Sequence, residues 1–549
     1  MKKRNIFSKW LLCLGLLVLI VVAGCSYEDP ESESAGSNSD QNEGEEAGSD
    51  NSTSNSKSSS NSVANKINVG LDVDAGTMDP RLSRDTSAKR VVEIVYDGLI
   101  RLNANLEPQP SLATDWENPD ATTWIFTLRE GVTFHDGEPF TAEDVKYTFD
   151  TILDPDFKAP YASLYKPIDS VEVIDETHVQ FNLKEPYAPL LTYLDVGIIP
   201  KHVAEKGDSL SSNPIGTGPY KMIEWKKNSK ITFEANKEYW GGEPTTGKIV
   251  YNIIPDNTTR VAALESGDID FVHSPLSPQD ISRIKANKDF KVVETQGLGF
   301  TYLNFNTEHE ILSDVKVRQG IAHLINKEVI SEDIYQNMDK PGKSPLIPAS
   351  WAYSDEITGF EFDKEKAKKL FADAGWTDTN NDGVLDKNGK NLSITLSTHS
   401  EDPNRIQIVE YLQNVFTNNG IETEVLTNEW PTFSTSLMEG NFDIGLVGWL
   451  NLVGPDRSMY NQFHSESGSN YGGYDNARVD ELLEEGRRVL DQSKRTEIYQ
   501  EAAQIVTEEV AYDVLLYQGY IAMYNKDLQG FDIHPTGSLY GLKDAKITK

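Results

Sequence analysis

The sequence predicts an α/β protein of several domains, and three observations carry this. Segments whose apolar residues alternate every second position are interleaved with segments whose apolar residues recur at helical spacing, the mark of strands layered against helices. The chain has 549 residues, and at roughly 150 residues per domain that is three to four domains. No fixed repeat of about 20–50 residues is visible, which sets solenoids and propellers aside.

The amino end reads first as a targeting segment. Lys2, Lys3, Arg4 and Lys9 flank an apolar run from Trp10 to Ala23. That run is too short to span a bilayer comfortably and fits the apolar region of a signal peptide. It ends in Val22-Ala23-Gly24-Cys25, which resembles a bacterial lipobox, where the Cys thiol becomes the lipid attachment point; an uncleaved membrane anchor is the alternative. The two cysteines, Cys13 and Cys25, both lie here. Residues 1–25 are therefore assigned as a lipoprotein signal peptide, with Cys25 as lipid anchor and a mature chain without disulfides or thiol chemistry. From 26 to 65 the composition collapses to Ser, Asn, Gly and Glu, which cannot offset the entropy of folding. A disordered tether of that length reaches about 35 Å.

The folded body is expected to begin near Lys66. Strands are predicted at Lys66–Asp72, Trp124–Leu128, Ile231–Ala235, Leu392–Ser397 and Phe442–Trp449. One helical face carries Val317, Ile321, Leu324 and Ile325. Another carries Ala367, Leu370, Phe371 and Ala374 and stops at Gly375, a good C-cap. Val479, Leu482, Leu483 and Gly486 form a third, followed by Ile498, Ala502, Ile505 and Val506.

Composition excludes some functions. Lys and Arg total 51 against 86 Asp and Glu, a net charge of −35. Such a field repels phosphate backbones and denies the chain a basic grip on anionic lipid, so nucleic acid is excluded as a partner. Catalytic signatures are thin. There is no G-x-S-x-G elbow, His309-Glu310 lacks the second His of a zinc motif, and the P-loop-like end at Pro341–Ser344 has Asn337 where a Gly is required. The nine His are scattered. Nothing here points to an enzyme.

One stretch has metal spacing. Asp378, Asn380, Asp382 and Asp386 occupy positions 1, 3, 5 and 9 of a calcium-type loop with Gly383 at the sharp turn, although position 12 is Gly389 rather than a bidentate Glu. A Gly-centred turn with no ion and a structural calcium site both remain open.

Six segments in order then carry a resemblance. They are TMDPRLSRDTSAKRVVEIVYDGLIRL (77–102), TWIFTLREGVTFHDGEPFTAEDVKYTFD (123–150), NPIGTGPYKMIEWKKNSKITFEANKEYW (213–240), GLGFTYLNFNTEHEILSDVKVRQGIAHLINKEVI (297–330), AGWTDTNNDGVLDKNGK (374–390) and FDIGLVGW (442–449). Together they resemble the family 5 (cluster C) extracellular solute-binding proteins that serve ABC importers of oligopeptides, dipeptides or nickel. The resemblance implies a periplasmic-binding-protein-like type II fold of two hinged lobes plus an extra domain. Lobe I would comprise 66–110, 216–297 and 516–549, the extra domain 111–215, and lobe II 298–515. Crossovers would fall near Gly297–Asn306 and Tyr512–Gln518.

The same resemblance implies a ligand trapped between the lobes and read by a permease with its ATPase. Arg84, Asp85 and Thr86 match the loop that supplies contacts from lobe I. Tyr302, Asn304, Trp430, Gly448 and Trp449 would line the cleft, with Asn451, Leu452 and Asp456 following on the loop after the Gly-Trp strand. Relatives that hold a peptide's free amine place an Asp three residues after that Trp; here it is Leu452, and no carboxylate occurs before Asp456. The amine would then be met elsewhere, with Asp85 or Asp456 as candidates, or the peptide is threaded, or the cargo is not a peptide.

The expected protein is a monomeric, lipid-anchored binding protein on the extracytoplasmic face of the cell membrane, of Gram-positive lipoprotein type. It would deliver oligopeptides to an ABC permease and require no cofactor, structural calcium aside. Alternatives are another cargo (an oligosaccharide or a metal chelate such as a nickel complex) or a peptide-pheromone receptor.

Overall fold

The computed structural model describes residues 66–83, 86–207, 209–450 and 452–548, with Thr86 and Ser87 described in their backbone alone. The chain opens with strand β1 (Lys66–Leu71), whose Ile67, Val69 and Leu71 are buried, and helix α1 (Thr86–Val92). It then makes an excursion through β2 (Ala113–Asp120), β3 (Thr123–Leu128), helix α2 (Ala142–Leu153), β4 (Ile168–Asp175) and β5 (His178–Leu183). These four strands form their own antiparallel sheet in the order β2-β3-β5-β4. Period-two alternation aims Trp124, Phe126 and Leu128 inward, and α2 covers them. Phe181 meets Phe126 and Phe149 edge-on at ring separations of 5.4 and 5.0 Å, the offset geometry aromatic quadrupoles favour.

The chain returns through β6 (Tyr220–Lys226), β7 (Lys230–Ala235), β8 (Lys248–Ile253), β9 (Phe271–His273) and the 16-residue strand β10 (Phe290–Phe305). Helices α3 (Val315–His323) and α4 (Lys364–Asp373) lead to β11 (Ser393–His399), α5 (Pro403–Thr417), β12 (Glu422–Asn428), α6 (Trp430–Met438) and β13 (Ile444–Trp449). Helices α7 (Pro455–Phe463), α8 (Ala477–Arg488) and α9 (Gln492–Glu508) precede the 14-residue strand β14 (Tyr512–Asn525).

One large sheet unites them in the order β12-β11-β13-β10-β14-β9-β1-β8-β7-β6, with a two-residue strand at Lys340–Pro341 also on β14. The two long strands pair antiparallel with each other from Phe290↔Asn525 to Asn304↔Tyr512, and their register shifts between Gln296 and Phe300. Each serves both halves of the sheet. The far end of β14 pairs with β9, whereas the far end of β10 pairs with β13. In the second half both sheet faces are covered: Leu303 and Phe305 point into one apolar cluster, Phe300 and Tyr302 into another. Strands buried on both faces explain the near-continuous apolar run IGLVGW.

Two charged devices sit against β14 where it crosses. Lys327 Nζ donates to Asp513 Oδ1 at 2.7 Å, to the Val514 carbonyl at 2.7 Å and to the Gly342 carbonyl at 3.1 Å. Asp339 Oδ1 accepts the Gly519 N–H at 3.0 Å. Burial pushes the Asp339 carboxyl up to about 7; the Gly519 N–H opposes the rise, Asp402 adds to it, and Arg405 and Lys340 oppose it. An unfolded Asp titrates near its ordinary value, about 4. Between those values the folded chain keeps a proton that the unfolded chain has released, so Asp339 withdraws stability as pH rises from about 4 to about 7. Asp339→Asn keeps an acceptor for Gly519 and removes the titration. Its melting temperature is expected to match the parent's near pH 4 and to exceed it at pH 8; parallel pH profiles would refute the assignment.

Candidate functional site

A cavity of about 510 Å³ lies where four stretches of chain meet. The first half contributes α1, the segment that follows it to Leu102, and 532–541; the excursion contributes residues between Tyr161 and Gly197; the second half contributes Leu450, Val453 and Gly454 and, from the first turn of α7, Asp456 and Arg457. Its walls carry five tyrosines, Tyr96, Tyr161, Tyr165, Tyr193 and Tyr540, which give broad apolar surface with polar tips. Burial pushes the phenols of Tyr96, Tyr165 and Tyr193 upward, so they stay neutral donors.

The charged groups of the wall are anchored from behind. Asp97, fully buried, accepts from Arg101 at 2.9 Å, Tyr239 at 3.1 Å, Thr217 at 3.0 Å and Trp240 at 2.9 Å. That frame fixes Arg101, whose guanidinium carbon lies 3.4 Å from the centre of the Tyr540 ring. Lys89 Nζ pairs with Asp195 Oδ2 at 2.9 Å and so ties α1 to the excursion. Glu93 accepts the Leu539 N–H at 2.6 Å, and burial pushes its carboxyl up. Burial also holds the His534 imidazole below its ordinary range.

The second half and the excursion touch. The Ala188 N–H donates to the Arg487 carbonyl at 2.8 Å, the Arg487 guanidinium lies 5.3 Å from the Tyr187 ring, and Arg488 reaches Glu185 at 3.5 Å. Nearer the cavity Arg457 lies 5.3 Å from the Tyr161 ring.

The residues singled out from sequence are spread across this frame. Cys25, Arg84, Asp85 and Asn451 lie outside the described residues; Thr86 opens α1. Asp456 lines the cavity, but its Oδ1 is engaged by Arg495 and accepts the Tyr499 hydroxyl at 2.7 Å. Leu452 is buried in the second-half core and its N–H donates to the Leu298 carbonyl at 3.0 Å. Tyr302 is fully buried with its ring 4.3 Å from that of Tyr512, and Asn304 is fully buried beneath Gly472; neither lines the cavity. Gly448 and Trp449, on β13, pair with Thr301 and Phe300 of β10, and a Cβ at Gly448 would run into the Arg405 guanidinium. Trp430 starts α6, is 47% exposed and packs edge-on against His399 at 5.4 Å, away from the cavity. Sequence reasoning missed the tyrosines, Lys89, Asp195, His534 and Arg457. Of these only Arg457, adjacent to Asp456, carried a local signal.

The Asp-rich turn holds itself together. Asp378 accepts the N–H groups of Asp382 at 3.2 Å and Gly383 at 3.0 Å, and Asp382 accepts Val384 N–H at 2.8 Å. Asn380 donates to Asp382 at 2.9 Å, and Asp386 accepts the N–H and hydroxyl of Thr379 at 2.8 Å each. Gly383 at φ 89° makes the turn. Among the described residues no group of three or more His, Cys, Asp or Glu side chains is placed to hold a metal ion. Millimolar calcium or a chelator is therefore expected to leave the melting temperature unchanged, and a calcium-dependent rise of several degrees would show that these carboxylates swing onto an ion.

The sequence profile of the bacterial extracellular solute-binding proteins, family 5 (middle region), matches residues 107–471. The chain belongs to this family. The oligopeptide-binding protein AppA of Bacillus subtilis is 31% identical over 510 residues, covering 88% of this chain and 93% of AppA. The structure of AppA from Bacillus subtilis in complex with a nonapeptide superposes with a TM-score of 0.73 at 29% identity, covering 88% of this chain and 99% of that one. NikZ from Campylobacter jejuni in complex with Ni(L-His) superposes with a TM-score of 0.76 at 27% identity, again over 88% and 99%. The α/β fold predicted from sequence is thus the fold of family 5 solute-binding proteins. Among the described residues no helix is long and apolar enough to cross a membrane.

Proposed function

We propose that this family 5 protein captures oligopeptides between two lobes and delivers them to an ABC permease and its ATPase, held at the extracytoplasmic face of the cell membrane by lipid on Cys25. In this reading 66–110, 216–297 and 516–549 form lobe I, 111–215 the extra domain and 298–515 lobe II. The chain acts as a monomer, and binding needs no cofactor. The observation that carries the reading is the cavity of about 510 Å³ walled by four separate stretches of chain. Its volume is that of a typical ligand site. A ligand that touches walls from both lobes is bound fully only when they close, so its affinity shifts the population toward the closed state. The peptide cargo is supported by the likeness to AppA, whose solved complex holds a nonapeptide.

Leu452 offers no charge to an amine and Asp456 is already engaged by Arg495 and Tyr499. The peptide is therefore held through its backbone and side chains rather than by its amino terminus at this loop. The test is gentle purification of the full-length chain followed by native and then denaturing mass spectrometry. Peptides of similar length and mixed sequence are expected. A single defined peptide would point to a pheromone receptor. A sugar, or a metal chelate of the kind NikZ holds, would replace the peptide reading with another imported cargo.

A further inference from the structure

The cations around the cavity are matched one by one, with one exception. Arg101 is paired with Asp97 at 2.9 Å, Lys89 with Asp195 at 2.9 Å, and Arg495, behind the wall, with Asp456. Arg90 Nε donates to the Gly537 carbonyl at 3.2 Å. Arg457 lines the same cavity from the first turn of α7 with the Tyr161 ring at 5.3 Å as its neighbour, and among the described residues it has neither a carboxylate nor a carbonyl partner. An arginine over an aromatic ring has its fork of N–H donors fixed in direction but unspent.

We infer that Arg457 is a ligand-binding residue that takes a carboxylate of the cargo, so that the cleft selects peptides presenting an acidic group there. The inference rests on the peptide reading above and adds the chemical class of peptide. Asp195, which lines the same cavity, is spent on Lys89 at 2.9 Å. Glu93 is engaged by the Leu539 N–H at 2.6 Å, and Asp532 lines the cavity without forming an ion pair with Arg457. A ligand carboxylate can be bound bidentately by this unpaired guanidinium. Arg457 comes from the second half of the sheet, Tyr161 from the excursion and Lys89 from α1. The acidic group of the ligand is therefore read only when these parts are together. It acts on the same equilibrium as closure.

The test uses the full chain and N-acetylated alanine pentapeptides, so that no free amine enters. Three forms are compared by calorimetry: the C-terminal amide, the free C-terminal acid, and amides carrying one Glu at each position in turn. At least one carboxylate-bearing form is expected to bind about ten- to a hundredfold more tightly than the plain amide, the size of a charge-assisted hydrogen-bonded pair. The acid and Glu arms show whether the carboxylate is terminal or a side chain. Arg457→Gln should abolish the preference for the favoured form over the amide, and Arg457→Lys should retain part of it. The comparison among ligands in the unsubstituted chain needs no variant to fold. Equal affinity of acid, Glu and amide forms for that chain overturns the inference and leaves the peptide reading standing. So does an Arg457→Gln chain that keeps the full preference of the unsubstituted chain for the carboxylate-bearing form. Absence of binding by all forms overturns the peptide reading as well.

Discussion

Replacing Lys327 with Met is expected to lower the stability of the chain by about 3–5 kcal/mol, the cost of leaving one member of a buried ion pair alone. Both side chains are almost wholly buried, and the ammonium satisfies Asp513 and two backbone carbonyls at once. Lys327 bonds Oδ1, and Asp513 Oδ2 has no hydrogen-bond partner among the described residues. Burial already pushes the Asp513 carboxyl up, and Lys327 is the main group holding it down. Without Lys327 the folded chain can keep Asp513 only in its protonated form, which the unfolded chain releases above about pH 4. The deficit of Lys327→Met should therefore grow as pH rises from 5 to 8. Combining it with Asp513→Leu, which removes the orphaned charge, should recover most of the loss. Thermal and denaturant unfolding of the two variants check this. A single variant within 1 kcal/mol of the parent, or a double variant no better than the single, would sink the account.

Asp456→Ala should cost a similar amount, about 3–5 kcal/mol, for the same reason read from the other sign. It strands Arg495, which otherwise keeps only the Gly486 carbonyl at 3.0 Å, the nearby Gln492 side chain at 3.3 Å and the Trp351 ring at 4.8 Å. It also removes the acceptor of the Tyr499 hydroxyl in the core beneath α7, α8 and α9. The prediction separates two roles for this carboxylate. A structural Asp456 lowers the melting temperature whether or not ligand is present. A carboxylate reserved for a ligand's amine would lose affinity for amine-bearing peptides with little change in the stability of the empty chain. The engaged oxygen argues for the first.

Much of the fold was legible because it is local. KINVGLD, WIFTL and ITFEA alternate, and they form β1, β3 and β7 within one or two residues of the expected limits. The helical faces at Ala367–Ala374, Val479–Gly486 and Ile498–Val506 fall in α4, α8 and α9, and Gly375 takes the left-handed cap at φ 86°. The site is not local. Its cavity joins α1, the Tyr-rich end of the excursion, a loop after β13 and the last turn-rich segment, and no periodicity links Lys89 to Asp195 or Arg457 to Tyr161. Tyr302 and Asn304 show the limit from the other side. Both lie on β10, and a strand with both faces covered offers no sequence signal for which face meets a ligand; both residues are fully buried, Tyr302 in the second-half core. Leu452 was conspicuous as a missing carboxylate; the structure shows why its apolar side chain is at home, packed in the same core as Met459 and Phe463.

The way β14 closes the sheet bears on how the protein is made. β1 lies between β8 and β9, and β9 has its other neighbour in residues 522–524. The core around them needs Leu528, Phe531, Leu539, Leu542 and Ile547 as well. A ribosome adding about 5–20 residues per second has therefore emitted β1 through β9 some tens of seconds before the pieces that complete them exist. For that interval the nascent amino-terminal half carries an unpaired strand edge and an open apolar face. Folding of this chain is thus post-translational by topology, and whatever guards the unfinished half until the last fifty residues arrive is as much a condition of its native state as any contact within it.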